Sequence, residues 1–199
     1  MGVLLFFAWA AGADAANYNE ALRGDISDNR LAPTVVVLGA GSNVVQGNFG
    51  LSPTPDVADL DYFAVTVPSG YRLDKVVLVN LNPGGANSFL GAQAGPQMTM
   101  PSTSHDPSPL LGWAHIYKTQ IGSNVLPAMS IAGPLAAGDY TFWSNETDTS
   151  AAWSYAFDFQ VSALAEPDSV PLPSWALVLL ASGLFAIGLS RAVRSDQRT

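Results

Sequence analysis

The stretch Asp61-Tyr-Phe-Ala-Val-Thr-Val-Pro-Ser-Gly70 decides the fold class. Side chains alternate along an extended chain, so Phe63, Val65 and Val67 share one face. Pro68-Ser-Gly70 then stops the strand, because Pro lacks an N–H and Gly tolerates a turn. The run Leu73–Leu81 follows as a longer strand. The same unit recurs outward in both directions. Thr34–Leu38 is β-branched and apolar, Gly39-Ala-Gly-Ser-Asn43 reads as a hairpin turn, and Val44–Phe49 follows. Ser88–Ala94, Trp113–Tyr117, Asp139–Asn145 and Ser154–Val161 extend the series. About eight short strands with turn signals between them are the pattern of an all-β sandwich or barrel. Pro101–Pro109 and Gly122–Pro134 read as loops, and Ser144–Ser150 as a polar hairpin flanked by Trp143 and Trp153. No segment of the body keeps a helical period over about ten residues.

Composition narrows the function classes. The chain has 199 residues, of which 48% are hydrophobic and 12% charged, which argues against wholesale disorder. It has no cysteine, so disulfides, thiolate metal sites and cysteine nucleophiles are excluded. Residues 17–169 hold 14 acids against 5 bases, a net charge of −9. Nucleic-acid binding needs clustered Lys and Arg, so no nucleic-acid partner is expected.

Both ends read as addresses. The apolar run Val3–Ala13 precedes Ala13-Asp14-Ala15-Ala16, a short hydrophobic core before an Ala-x-Ala cleavage site. Residues 1–16 are therefore read as a secretory signal peptide, with Ala13, Ala15 and Ala16 at the cut, although no Lys or Arg precedes the core. The sandwich is expected over 17–165. Residues 166–174 form a linker that contains Val170-Pro171-Leu172-Pro173. Residues 175–190 are read as a transmembrane helix flanked by Trp175, and 191–199 as a basic cytoplasmic tail with Arg191 and Arg194. The uncharged run Trp175–Leu189 spans roughly 23 Å at 1.5 Å per residue, somewhat short of a ~30 Å hydrocarbon core, which arginine snorkelling and local bilayer thinning accommodate.

This proline motif, apolar helix and basic tip resemble the PEP-CTERM class of sorting signals, in a Val-Pro-Leu-Pro variant. The usual Pro-Glu-Pro is absent, and Glu166-Pro167 is only a fragment of it. The resemblance implies processing by an exosortase-type membrane protease, in a Gram-negative bacterium that makes exopolysaccharide. The body phrases Tyr18–Asp28, Asp61-Tyr-Phe63, Leu110-Leu-Gly-Trp113 and Gly138-Asp-Tyr-Thr-Phe-Trp143 look like a group found within such proteins. The body is also similar to the bacterial pre-peptidase C-terminal domain, through Asp61–Gly70, Ala137–Phe142 and Tyr155–Val161. That resemblance implies a jelly-roll-like sandwich with an accessory role and no catalytic residue.

Several constellations bear on chemistry. Val35–Val44 imitates a dinucleotide-binding start, but Val44 stands at the third glycine position and no helix pattern follows. Asp56, Asp59 and Asp61 cluster before a strand, and loop carboxylates of this kind suit calcium. Asp25 and Asp28 reach the same edge if the strands pair across it. The EF-hand spacing is absent, and solvated turn-capping aspartates are the plainer reading. Trp113, His115 and Tyr117 share a strand face, which suits a sugar platform, with Trp143 as a further loop aromatic; half-buried packing is the plainer reading. Ser, His and Asp residues exist, but there is no Gly-x-Ser-x-Gly elbow, and His105 and His115 are the only histidines. The expectation is an exported, non-enzymatic envelope or matrix protein with a structural or adhesive role linked to exopolysaccharide. A carbohydrate-binding module and a secreted hydrolase are the alternatives.

Overall fold

Backbone pairing sorts the strands into two facing sheets. The computed structural model describes residues 15–51, 58–83, 88–146 and 153–165. The segments read as the signal core, the sorting motif, the membrane helix and the basic tail lie outside these, apart from Ala15 and Ala16. No helix among the described residues is long and apolar enough to cross a membrane. The chain divides into two units, Met1–Leu164 and Ala165–Thr199, and every described strand belongs to the first.

That unit has ten described strands: β1 Asn17–Asn19, β2 Thr34–Val37, β3 Gly41–Leu51, β4 Ala58–Asp59, β5 Asp61–Val67, β6 Tyr71–Asn82, β7 Ser88–Ala94, β8 Gly112–His115, β9 Gly138–Glu146 and β10 Trp153–Ala163. One sheet runs β1-β3-β10-β6 with β4 paired to β3, and the other runs β2-β5-β9-β7-β8. All eight strands read from the sequence are present. The two additions, β1 and β4, are too short to carry an alternation signal. A single-turn helix, α1 (Glu20–Arg23), is capped by the Asn19 side chain, which accepts from the Ala21 N–H at 3.0 Å.

The core lies between the sheets. Phe63 and Phe142, opposite each other in the β5–β9 ladder, stack at 5.7 Å, and Phe159 from the other sheet meets both edge-on at 6.0 and 5.2 Å. Such aromatic contacts add to the transfer free energy of burial. Segment 122–135 does more than connect. It hydrogen-bonds along the free side of β6, for instance through Leu73 and Leu135 in both directions, and sends Val125, Leu126, Met129 and Leu135 into the core. It also runs over β8 at Gly112, where a Cβ would fall 2.0 Å from the Met129 carbonyl oxygen, so only glycine fits.

Two short connections join different sheets and are not hairpins: residues 38–40 lead from β2 to β3, and residues 68–70 from β5 to β6. β9 and β10 also lie in different sheets. The hairpin expected at Gly39–Asn43 is thus corrected to an arch across the sandwich, and the one expected at Ser144–Ser150 joins no neighbouring strands. An arch leaves backbone groups that no ladder satisfies, and buried groups of this kind must be bonded. Asn43 is wholly buried and does that work at the first arch. Its Oδ1 accepts from the N–H groups of Ala16 and Gly39, both at 2.7 Å. Its Nδ2 donates to the carbonyls of Gly39, Gly41 and Phe159 at 2.9, 3.1 and 3.0 Å.

Asn43→Ala strands these buried groups and is expected to cost roughly 3 kcal/mol or more. Asn43→Asp, which keeps the acceptor and loses the donor, falls between it and the parent. Urea midpoints of the three proteins check the order.

Candidate metal centre

The sequence places two aspartates just after α1 and one at the end of β4, and two hydrogen bonds bring them together. Asp28 Oδ1 accepts from the Leu60 N–H at 2.8 Å, and the Ser27 carbonyl accepts from the Tyr62 N–H at 2.9 Å. These fix residues 25–28 against the β4–β5 corner. One oxygen from each of Asp25, Asp28 and Asp59 then lies within 4.8 Å of the other two. Oxygens sharing a calcium ion at about 2.3–2.6 Å stand at most about 5 Å apart, so one ion fits this spacing.

Glu20 borders the group. Its Oε2 accepts from the Asn48 backbone N–H at 2.5 Å. Asp61 lies beneath, wholly buried, with neither carboxyl oxygen hydrogen-bonded. The Tyr155 hydroxyl and the Ser144 hydroxyl, buried at the same end of the sandwich, are also without partners. Gly47 makes room for this arrangement: a Cβ there would lie 2.7 Å from Tyr155 Oη and 3.0 Å from Glu20 Oε2.

The electrostatics are those of acids crowded without counter-charge. Burial, followed by the charges of Asp59, Glu20 and Asp25, pushes the Asp61 carboxyl up to about 9, with the Tyr155 hydroxyl offsetting part of the rise. Burial and the closeness of Asp25 raise Glu20 to about 7, against the pull of the Asn48 N–H. Burial, then Asp25 and Asp28, raise Asp59 to about 6. Burial lifts the Tyr155 hydroxyl well above its ordinary value, and the Asp61 charge adds to this. Among the described residues the ion pair is Arg72–Asp74, away from this cluster, and Arg23 lies over the Tyr18 ring at 6.0 Å.

No family model, curated protein or solved structure matches the chain.

Of the aspartates singled out in the sequence, Asp59 belongs to the surface group and Asp61 lies under it, while Asp56 is outside the described residues. Asp25 and Asp28 do converge with Asp59. Glu20 and Tyr155 were not legible, because a first-turn glutamate after an asparagine cap and a strand tyrosine both have ordinary structural readings. Of the aromatics, Trp113 is half exposed on β8, whereas Trp143 is 5% exposed and is corrected from a sugar contact to a packing residue. Met98 and Met100 pack with it and with Tyr62 on the outer face of the second sheet. Tyr117 lies just past β8, before the 3-10 turn Lys118–Gln120, in extended backbone that continues the alternation in which Trp113, His115 and Tyr117 are exposed and Ala114 and Ile116 buried.

An acid whose pKa is higher folded than unfolded binds more protons when folded, so stability declines as pH rises from the unfolded to the folded value. For Asp61 that window runs from the ordinary carboxylate value of 3.8 to about 9, with a limiting slope of about 1.4 kcal/mol per pH unit. In chelator, the urea midpoint is expected to be lower near about pH 8 than near about pH 5, and Asp61→Asn to lose most of that difference.

Proposed function

We propose that the chain is an exported, non-enzymatic module of the bacterial cell envelope or extracellular matrix, and that its sandwich holds a divalent cation of the calcium type at the acidic edge. The observation that carries the cation reading is the convergence of Asp25, Asp28 and Asp59 above the buried carboxyl group of Asp61. Carboxylates held together in folded protein repel one another and resist ionisation, and a hard cation with several oxygen ligands relieves both effects.

The export reading is supported by the ends of the sequence. The run Val3–Ala13 before Ala13-Asp14-Ala15 is suited to a signal peptidase, and the chain resembles the PEP-CTERM class through Val170–Pro173, the uncharged run after it, and Arg191 and Arg194. In this reading an exosortase-type membrane protease cuts near the proline motif after the apolar helix has halted transfer. The acidic module then stays at the surface or enters the polysaccharide matrix, where its role is structural or adhesive. The Ala16 N–H bonds Asn43 and its carbonyl accepts from the Val44 N–H at 3.0 Å, which supports a cut that leaves Ala16 on the mature chain.

Calcium titrated into the full-length protein is expected to release or absorb heat and to raise Tm, with about 2.7 kcal/mol of stabilisation at a hundred times Kd. Asp25→Asn and Asp59→Asn should each abolish the response, and a wild-type protein with no heat and no Tm gain overturns the cation reading. Export is checked separately by mass spectrometry of the mature protein. It should begin at Ala16 and lack residues beyond about Pro173.

A further inference from the structure

The second sheet carries aromatic residues on the face turned away from the core. Across the strands they form one line: Tyr62 to Trp143 at 5.7 Å, Trp143 to Phe89 at 4.7 Å, Phe89 to Trp113 at 6.0 Å, and Trp113 to His115 at 5.9 Å. Gly91 makes the line continuous. It lies between Trp143 and Trp113 in the ladders, and a Cβ there would meet the Phe89 ring at 3.0 Å, so the ring lies across the space a side chain would fill. Met98, Met100 and Leu110, from the connection between β7 and β8, cover the Tyr62–Trp143 end. The cover stops short of the other end, where Trp113 is 43% exposed.

A cleft of about 200 Å³ opens there, with Phe89 and Trp113 on its apolar side and Ser104, His105 and His115 among its polar lining. The chain's two histidines thus meet at one cleft, although ten residues separate them in sequence. Among the described residues, no carboxylate, lysine or arginine lines it. Neighbouring Asp106 turns its carboxylate onto the Ser108 N–H and hydroxyl, both at 3.0 Å.

We infer that this cleft binds a single neutral pyranose ring, with the exposed indole of Trp113 against the sugar's C–H face and Ser104, His105 and His115 bonding its hydroxyls. The chemistry selects that class. A body of net charge −9 disfavours an anion, and no carboxylate among the described residues of the cleft pairs a cation. Hydroxyl and imidazole groups both donate and accept, which matches a ring edged with hydroxyls. An indole face supplies a flat apolar surface beside them. The volume is below the about 300–1,000 Å³ of sites for drug-sized ligands, which suits one sugar unit of a longer chain.

Saturation-transfer NMR of the full-length protein with methyl glucoside, methyl galactoside, methyl mannoside and N-acetylglucosamine tests this. The expected result is saturable transfer to the C–H face of at least one sugar. Trp113→Ala should weaken binding about tenfold or more, Trp113→Phe less, and His115→Ala also, with the urea midpoint of each variant near that of the parent because these side chains are at the surface. Three outcomes overturn the inference: no transfer to any of the four sugars, transfer that Trp113→Ala and His115→Ala leave unchanged, or capture of a proline-rich peptide at Trp113 with no response to sugar.

Discussion

The sandwich depends on the amide of Asn43. A chain that passes from one sheet to the other must leave its ladder, and the backbone groups freed there are enclosed by both layers. Asn43 gathers the loose ends of three segments: the N-terminal strand through Ala16, the arch through Gly39 and Gly41, and the central strand β10 through Phe159. Its own backbone N–H goes to Asp158, whose carboxylate also takes the Ser42 hydroxyl. An apolar residue of similar size would fill the space and leave the polar groups unbonded, at a cost that packing does not recover.

The strands were legible from their β-branched and aromatic runs between turn residues, even where, as in β5 and β10, both faces are largely buried. Phe63, Val65 and Val67 read as a core face, and all three are buried. The pairing was not legible. A Gly-rich or Pro-Ser-Gly turn satisfies the same local rules whether it joins neighbours in one sheet or opposite sheets. Only the distant partners, β5 with β9 and β6 with β10, settle which. Asn43 shows the limit plainly: in sequence it is an ordinary turn residue, and its burial follows from what closes over it.

The same limit governs the two candidate sites. Asp59 and Asp61 stood out through their spacing, and Asp25 and Asp28 were conditional on strands meeting across the edge. The Leu60 and Tyr62 hydrogen bonds supply that condition. Trp113, read on a strand face, and Trp143, read as a loop aromatic, were both offered as sugar contacts. What separates them is a connection of methionines and Leu110 that packs over one and leaves the other bare. Long-range packing of a loop has no period to read, so burial at such positions escapes sequence reasoning even when the strand beneath is assigned correctly.

The position of β10 has a mechanical consequence. It is the last described strand, and it lies inside its sheet, with Phe157 opposite Val45 on one side and Leu78 on the other. Tension entering from the C-terminal side therefore runs along the strand and loads both ladders together in shear, instead of peeling bonds one at a time. Resistance to such a pull is set by the barrier to unfolding, not by equilibrium stability. A strand at the sheet's rim would have offered a far weaker handle.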